Sequence, residues 1–190
     1  MHASERTLAV AVMPNSLIAK AFLAVGGSLL LALSAQVAVP LPFSPVPVTG
    51  QTFAVLLIGA ALGARLGAAT VLLYLAEGAA GLPVFAPGAT LGLARIAGPT
   101  GGYLAGFVAA AFVIGLLAER GWDRRVATAA AAMLVGEVVI YVVALPWLAR
   151  FVPVERLLDA GLWPFVAGDL YKLALAALAL PIAWRFARVS

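Results

Sequence analysis

Residues 163–182 read WPFVAGDLYKLALAALALPI, an apolar segment interrupted by two ionisable residues, Asp169 and Lys172. A bilayer crossing needs about 20 predominantly apolar residues, so a segment of this length is able to enter a membrane. Ionisable groups at membrane depth are costly, and they usually face a protein interior, where they mark a pathway or a ligand site. The i, i+3 spacing places both side chains on one helix face. We therefore hypothesise that this face binds a small solute that carries hydrogen-bond donors and a negative charge.

The composition of the whole chain is that of an integral membrane protein. Of its 190 residues, 64% are hydrophobic and only 11% are charged. A soluble domain has about 25% charged residues. No charged residue occurs between positions 21 and 64, which leaves room for two membrane crossings.

Residue counts and charge distribution argue against several other classes of protein. The chain has no Cys, and its single histidine, His2, lies in the N-terminal tail. We therefore expect no metal site and no cofactor. The net charge of +4 comes from bases that are spread singly between apolar segments, so we also expect no nucleic-acid partner.

The apolar segments predict an all-α membrane protein, a bundle of six transmembrane helices that forms one domain over residues 1–190. The predicted helices cover residues 17–39, 51–64, 66–80, 100–118, 126–148 and 164–187. The second and third helices are short, and the alternative is one long span that is broken near residues 63–65.

The distribution of Lys and Arg orients this bundle. Basic residues are more frequent in cytoplasmic loops, and six spans put eight on one side and three on the other. The predicted inner residues are Arg6, Lys20, Arg65, Arg120, Arg124, Arg125, Arg185 and Arg188, and the predicted outer ones are Arg95, Arg150 and Arg156. We expect a multi-pass protein of the cytoplasmic (inner) membrane with both termini in the cytoplasm.

Two predicted outer loops are rich in Pro and Gly, yet apolar. Residues 40–51 read PLPFSPVPVTGQ, and residues 77–99 read EGAAGLPVFAPGATLGLARIAGP. Irregular backbone at membrane depth has to be buried in protein or line a cavity, because its peptide groups need partners. We interpret the loops as a cap over a pocket on the extracytoplasmic side. The alternative is that they lie on the bilayer surface.

Other residues have more than one interpretation. Asp169 and Lys172 could simply neutralise each other as a structural pair. Glu137, in a predicted helix, is expected at a depth similar to that of Lys172, so a Glu137–Lys172 pair is plausible. Arg95 could bind a carboxylate or extend to lipid headgroups.

A ridge of small residues, Ala24, Ser28 and Ala32, runs along one face of the first predicted helix at intervals of four. Such ridges allow two helices to approach closely. The ridge is therefore either a partner-binding face or an internal packing face.

Four motifs in this order resemble the BioY family, the substrate-binding membrane subunits of energy-coupling-factor (ECF) vitamin transporters. They are PVTGQTF at 47–53, GLPVFA at 81–86, GPTGGYLAGF at 98–107 and PFVAGDLYK at 164–172. The resemblance implies a high-affinity biotin-binding subunit in a six-helix bundle. It also implies a transmembrane coupling subunit and a pair of cytoplasmic ATPases as partners, although some members are thought to act alone.

The resemblance also implies which residues form the binding site. Asp169 and Lys172 match the family's acidic and basic pair on the last helix, and Arg95 and Glu77 match further polar contacts. The aromatic residues Phe85, Tyr103 and Trp163 would cover apolar faces of biotin. Gln51, in the first motif, completes the predicted substrate-binding set.

Three alternatives to biotin transport remain open from the sequence. The chain could bind another vitamin, such as thiamin or riboflavin. It could instead be an intramembrane enzyme that uses Asp169 and Glu137 as an acid–base pair, or a scaffold without a ligand. We predict a transport protein without an ATP-binding motif of its own, and not an enzyme.

Overall fold

The computed structural model describes residues 7–13, 16–88 and 90–187. Within these residues the chain forms nine α-helices and one short two-stranded sheet. The helices are α1 (Leu8–Val12), α2 (Leu17–Gln36), α3 (Gln51–Leu62), α4 (Ala64–Ala79), α5 (Leu93–Ala97), α6 (Gly101–Glu119), α7 (Val126–Leu148), α8 (Leu157–Gly161) and α9 (Trp163–Ala187). The strands are β1 (Ala38–Val39) and β2 (Val48–Thr49), and short 3₁₀ turns cover Trp122–Arg124 and Val154–Arg156.

Helices occur at all six predicted locations, but only part of this set is long enough to span a bilayer by itself. Among the described residues, four helical segments have the length and hydropathy of a span: α2, α6, α7 and the continuous stretch Val154–Ala187 that contains α9. Helices α3 and α4 have only 12 and 16 residues. Length and composition therefore identify four crossings, and the number of six stays a prediction.

The α3–α4 connection is a tight reversal at Gly63. This glycine has a φ of +83°, a backbone conformation that is strained for other residues. After the turn α4 runs back along α3, so that a Cβ on Gly67 would lie 3.1 Å from the Cα of Gly59. Residues eight apart in one straight helix would be about 12 Å apart. The alternative of one long broken span is therefore wrong.

Helix α6 is at the centre of the bundle, in contact with α3, α4 and α7. It is also the most buried of the four spanning segments. Its glycines allow the neighbouring backbones to approach closely, as small residues do in membrane helices. A Cβ on Gly106 would lie 3.0 Å from the carbonyl oxygen of Ile140, and one on Gly115 would lie 2.2 Å from the nitrogen of Ala64.

The small-residue ridge on α2 turns partly toward α4. Ser28 is only 1% exposed, and its hydroxyl donates a hydrogen bond to the Glu77 carboxylate of α4. Ala24 and Ala32 are half-buried. At Ser28 the ridge is therefore an internal packing face, while large apolar side chains such as Phe22 and Leu29 cover the exposed side of α2.

Some predicted boundaries differ from the structure. The first predicted helix, 17–39, ends at Gln36, because Ala38 and Val39 pair with Thr49 and Val48 as antiparallel strands. This pairing closes the loop that contains the four prolines between positions 40 and 47. The tail residues used above, His2, Arg6 and Arg188, lie outside the described residues.

We predict that Gly115→Ala lowers the free energy of unfolding by about 1–3 kcal/mol, because the added methyl group forces apart α6 and the Gly63 turn. Thermal unfolding of the purified protein in detergent measures this change. Gly26→Ala is the matched control, because a Cβ at that helical position meets no atom within 4 Å. Equal stability of the two variants would contradict the close packing of α6.

Candidate functional site

A cavity lies at the end of the bundle where the two Pro- and Gly-rich loops meet the helices. It encloses about 580 Å³ of space, including the part that is open to solvent. The lining comes from α3, α6, α7, α9 and both loops, and it comprises Val46, Pro47, Thr49, Gln51, Thr52, Phe85, Ala86, Arg95, Thr100, Tyr103, Leu104, Phe107, Ile140, Tyr141, Phe165, Asp169 and Lys172.

Asp169 and Lys172 form a buried ion pair in this cavity. The Lys172 Nζ lies 3.0 Å from the Asp169 Oδ1, and the two side chains are only 17% and 7% exposed, respectively. Lys172 also donates to the Thr52 hydroxyl at 2.9 Å, and that hydroxyl lies 3.2 Å from the Asp169 Oδ1. The Tyr141 hydroxyl donates to the other carboxylate oxygen, Oδ2. Both oxygens of Asp169 therefore have partners, as a buried charge requires.

Aromatic side chains form the apolar wall beside this pair. Tyr103 donates its hydroxyl proton to the carbonyl oxygen of Gly161 at 2.5 Å, which fixes the ring between α6 and α8. Its ring packs edge-on against Tyr141, with 6.4 Å between centroids, and tilted against Phe165 at 6.0 Å. A flat ring of a ligand could therefore pack against this apolar wall, next to the polar ion pair.

The opposite wall depends on a chain of contacts that starts at Gln51. The Gln51 Nε2 donates to the Tyr74 hydroxyl at 2.8 Å, and that hydroxyl donates to the carbonyl oxygen of Val84 at 3.1 Å. The Tyr74 ring packs edge-on against Phe85. A Cβ on Gly78 would overlap the Phe85 ring at 2.1 Å. The GLPVFA loop is therefore held against the α3–α4 hairpin, with Phe85 facing the cavity.

Arg95 on the short helix α5 brings a second cation to the cavity. Its side chain is half-buried, and burial lowers the pKa of the guanidinium from its ordinary value. Among the described residues, Arg95 has no carboxylate partner. A guanidinium in this position suits a planar carboxylate.

The structure brings together six of the eight residues predicted for substrate binding: Asp169, Lys172, Arg95, Phe85, Tyr103 and Gln51. Two others lie outside the cavity lining. Glu77 accepts a hydrogen bond from Ser28 between α2 and α4. Trp163 is 59% exposed at the start of α9.

The proposed Glu137–Lys172 pair is wrong. Lys172 is engaged by Asp169 and Thr52, and within the part of the chain that the structure describes neither carboxylate oxygen of Glu137 has a hydrogen-bond partner. The two residues were expected at similar depth. Depth along two helices does not determine whether the side chains face each other.

Among the lining residues that were not predicted, three contact the ion pair or the ring of Tyr103: Thr52, Tyr141 and Phe165. Two of them had a usable signal. Phe165 precedes Asp169 by four positions, so both lie on one helix face. Thr52 follows Gln51 in the PVTGQTF motif. Tyr141 had only its spacing of four from Glu137, and its bond to Asp169 depends on how α7 packs against α9.

The fold and the site define a class of protein. They describe an α-helical membrane protein with apolar helices long enough to span a bilayer and a cavity at one end that contains a buried ion pair. The chain belongs to the BioY family, whose family model matches residues 5–189.

Relatives and a solved structure agree with this assignment. The chain is 42% identical over 149 residues to the "Probable biotin transporter BioY" of Pyrococcus horikoshii, which covers 78% of this chain and 86% of the relative. It is 42% identical over 141 residues to the "Biotin transporter BioY" of Thermotoga maritima, and this match covers 74% of this chain and 82% of the relative. The crystal structure of an S-component for biotin from an ECF-type ABC transporter has the same fold, with a TM-score of 0.76, 24% identity, and coverage of 92% of this chain and 95% of that one.

We predict that Lys172→Met destabilises the protein by about 3–5 kcal/mol, because it leaves the buried Asp169 carboxylate without its counterion. The double variant Asp169→Asn/Lys172→Met should recover much of this loss, because no unpaired charge remains. Thermal unfolding in detergent measures both variants. Lys20→Met, at an exposed lysine of α2, is the control and should unfold like the wild type. A Lys172→Met variant as stable as the wild type would contradict the pairing.

Proposed function

We propose that this chain binds biotin in the cavity and is the substrate-binding membrane subunit of a biotin uptake system. The observation that carries the proposal is one aromatic cavity whose lining contains the buried Asp169–Lys172 pair and Arg95, a cation without a carboxylate partner among the described residues. The similarity to two biotin transporters and to the S-component for biotin described above supports it. The proposed role is transport, not catalysis.

The groups of the cavity match the chemistry of biotin. The ureido ring of biotin offers two N–H donors and a carbonyl acceptor, and we assign these to Asp169 and Lys172, respectively. The apolar thiophane ring fits the wall of Tyr103 and Phe165, which lies beside that pair. The valerate carboxylate supplies the counterion that Arg95 lacks within the described residues.

The unpaired cation also separates biotin from the other vitamins. Thiamin carries a thiazolium cation, and riboflavin has no ionised group at neutral pH. Neither would neutralise Arg95, whereas biotin is an anion at neutral pH. A half-buried guanidinium therefore favours an anionic ligand over either alternative.

The proposal extends to topology and partners. We place the cavity on the extracytoplasmic side of the cytoplasmic membrane, with both termini inside, in keeping with the bias of Lys and Arg. In this arrangement the short helices α3 and α4 complete a six-helix bundle. The sequence contains no Walker A motif, so the energy for ECF-type uptake would come from a coupling membrane subunit and a pair of ATPases.

We predict that Asp169→Asn weakens biotin binding at least tenfold while the protein remains folded, because the amide presents a donor where the ureido N–H groups need an acceptor. Isothermal titration calorimetry of the purified chain measures the affinity, and thermal unfolding checks the fold. Asp159→Asn is the matched control, because Asp159 is an exposed carboxylate on α8. Titration with thiamin and riboflavin completes the test.

Two outcomes would contradict the proposal. Unchanged affinity in Asp169→Asn would remove this residue from the site. Tighter binding of thiamin or riboflavin than of biotin would assign the cavity to another vitamin. A site whose polar groups pair with the ureido N–H groups should also discriminate strongly, by a factor of about 10⁴, against an analogue that lacks them.

A further inference from the structure

Glu137 is a carboxyl group that the proposed binding site does not use. It lies in the middle of α7 and is only 5% exposed. Both of its carboxylate oxygens are buried without a hydrogen-bond partner among the described residues. Native proteins rarely bury a polar group in this way, and such a group calls for a functional explanation.

The side chain lies in a crevice between α7 and α9, separate from the ligand cavity. The crevice is lined by Glu137, Val138, Tyr141, Asp169 and Leu170, among other residues. Tyr141 and Asp169 also line the ligand cavity. The hydrogen-bonded side chains of Tyr141 and Asp169 therefore lie between Glu137 and the ligand that we propose for the cavity.

Two charges act on Glu137, and both belong to the binding site. They are Asp169, which lines the same crevice, and Lys172, which is paired with Asp169 on α9. Lys172 is engaged by Asp169 and so does not neutralise Glu137. The other titratable groups nearby are the phenols of Tyr141, on the same helix, and of Tyr103 on α6, whose ring packs against that of Tyr141.

These surroundings determine the protonation state of Glu137. An ionised carboxylate without donors in an apolar medium is so costly that such a group takes up a proton instead. The carboxylate of Asp169, which lines the same crevice, repels a second negative charge there. Burial without a hydrogen-bond partner among the described residues therefore favours the neutral carboxylic acid form of Glu137.

The neutral acid has a consequence for the ligand. With Glu137 protonated, the two cations Arg95 and Lys172 and the anion Asp169 leave the site with one excess positive charge, which an anionic ligand neutralises. With Glu137 ionised, the site has no excess charge, and an anion would enter without that attraction. In protein with an effective dielectric constant of about 20, two unit charges about 12 Å apart interact strongly enough to change affinity roughly tenfold.

We propose that Glu137 is a membrane-embedded proton-binding site, and that binding of an anionic ligand in the cavity is thermodynamically linked to the proton held there. This inference rests on the proposed function, because the ligand is taken to be the biotin anion. By reciprocity, the ligand also strengthens the binding of the proton. In this proposal Glu137 does not touch the ligand. It acts by setting the net charge of the site.

The first test measures biotin affinity by calorimetry between about pH 6 and about pH 9.5, a range in which ordinary carboxylates stay ionised. The wild type should lose roughly tenfold in affinity as the pH rises. E137Q, which mimics the protonated acid, should bind biotin with an affinity that changes little over this range. Biotin methyl ester, which is neutral, should give a much flatter profile with the wild type.

Matched variants keep the test specific. Glu155→Gln removes an exposed carboxylate between α7 and α8 and should keep the wild-type profile. Should E137Q fail to fold, Glu137→Met provides a second neutral side chain of similar size. A wild type with pH-independent affinity, or an E137Q variant that keeps the wild-type slope, would overturn the linkage.

The second test reads the proton directly in the ligand-free protein. Infrared difference spectra over the same pH range should show the C=O band of a protonated carboxylic acid that fades as the pH rises and is missing in E137Q. Absence of this band from the wild type would overturn the inference. If the wild type binds no biotin at any pH, the proposed function fails, and the infrared spectra still decide whether Glu137 holds a proton.

Discussion

The structure depends on keeping one carboxylate and one ammonium group charged inside an apolar bundle. Three helices contribute to this: α9 carries Asp169 and Lys172, α3 supplies Thr52, and α7 supplies Tyr141. Breaking such a buried pair is strongly destabilising, although pairs of this kind add little net stability. We therefore propose that the pair serves ligand binding more than folding.

The packing of the remaining helices serves to place this pair beside a cavity. The reversal at Gly63 returns α4 along α3, so that Tyr74 reaches Gln51 and supports the loop that carries Phe85. Glycines on α6 bring its neighbours close, and Tyr103 on the same helix forms the apolar wall. The same helix thus brings its neighbours close through its glycines and lines the cavity through Tyr103.

The sequence was sufficient for those features that depend on one helix or one motif. The positions of the main helices follow from hydropathy, and the Asp169–Lys172 pair follows from spacing on one face. Features that depend on the rotation of one helix against another were not predictable. Glu137 does not reach Lys172, whereas Tyr141, one turn further along α7, does reach Asp169.

Local backbone pairing and exposure explain the other differences. The first helix is shorter than predicted because strands Ala38–Val39 and Val48–Thr49 pair across the proline-rich loop, which a hydropathy pattern does not detect. Trp163 was expected to cover the ligand but begins α9 with an exposed ring. An aromatic residue at the end of a span is equally suited to the membrane interface.

The most direct test of the central claim, that the buried ion pair is the polar anchor of a biotin site, is an experimental structure of the chain with bound biotin. We expect the ureido ring within hydrogen-bond distance of the Asp169 and Lys172 side chains, with the carboxylate at Arg95. Biotin bound elsewhere, with Asp169 and Lys172 still paired and the cavity beside them empty, would contradict the account.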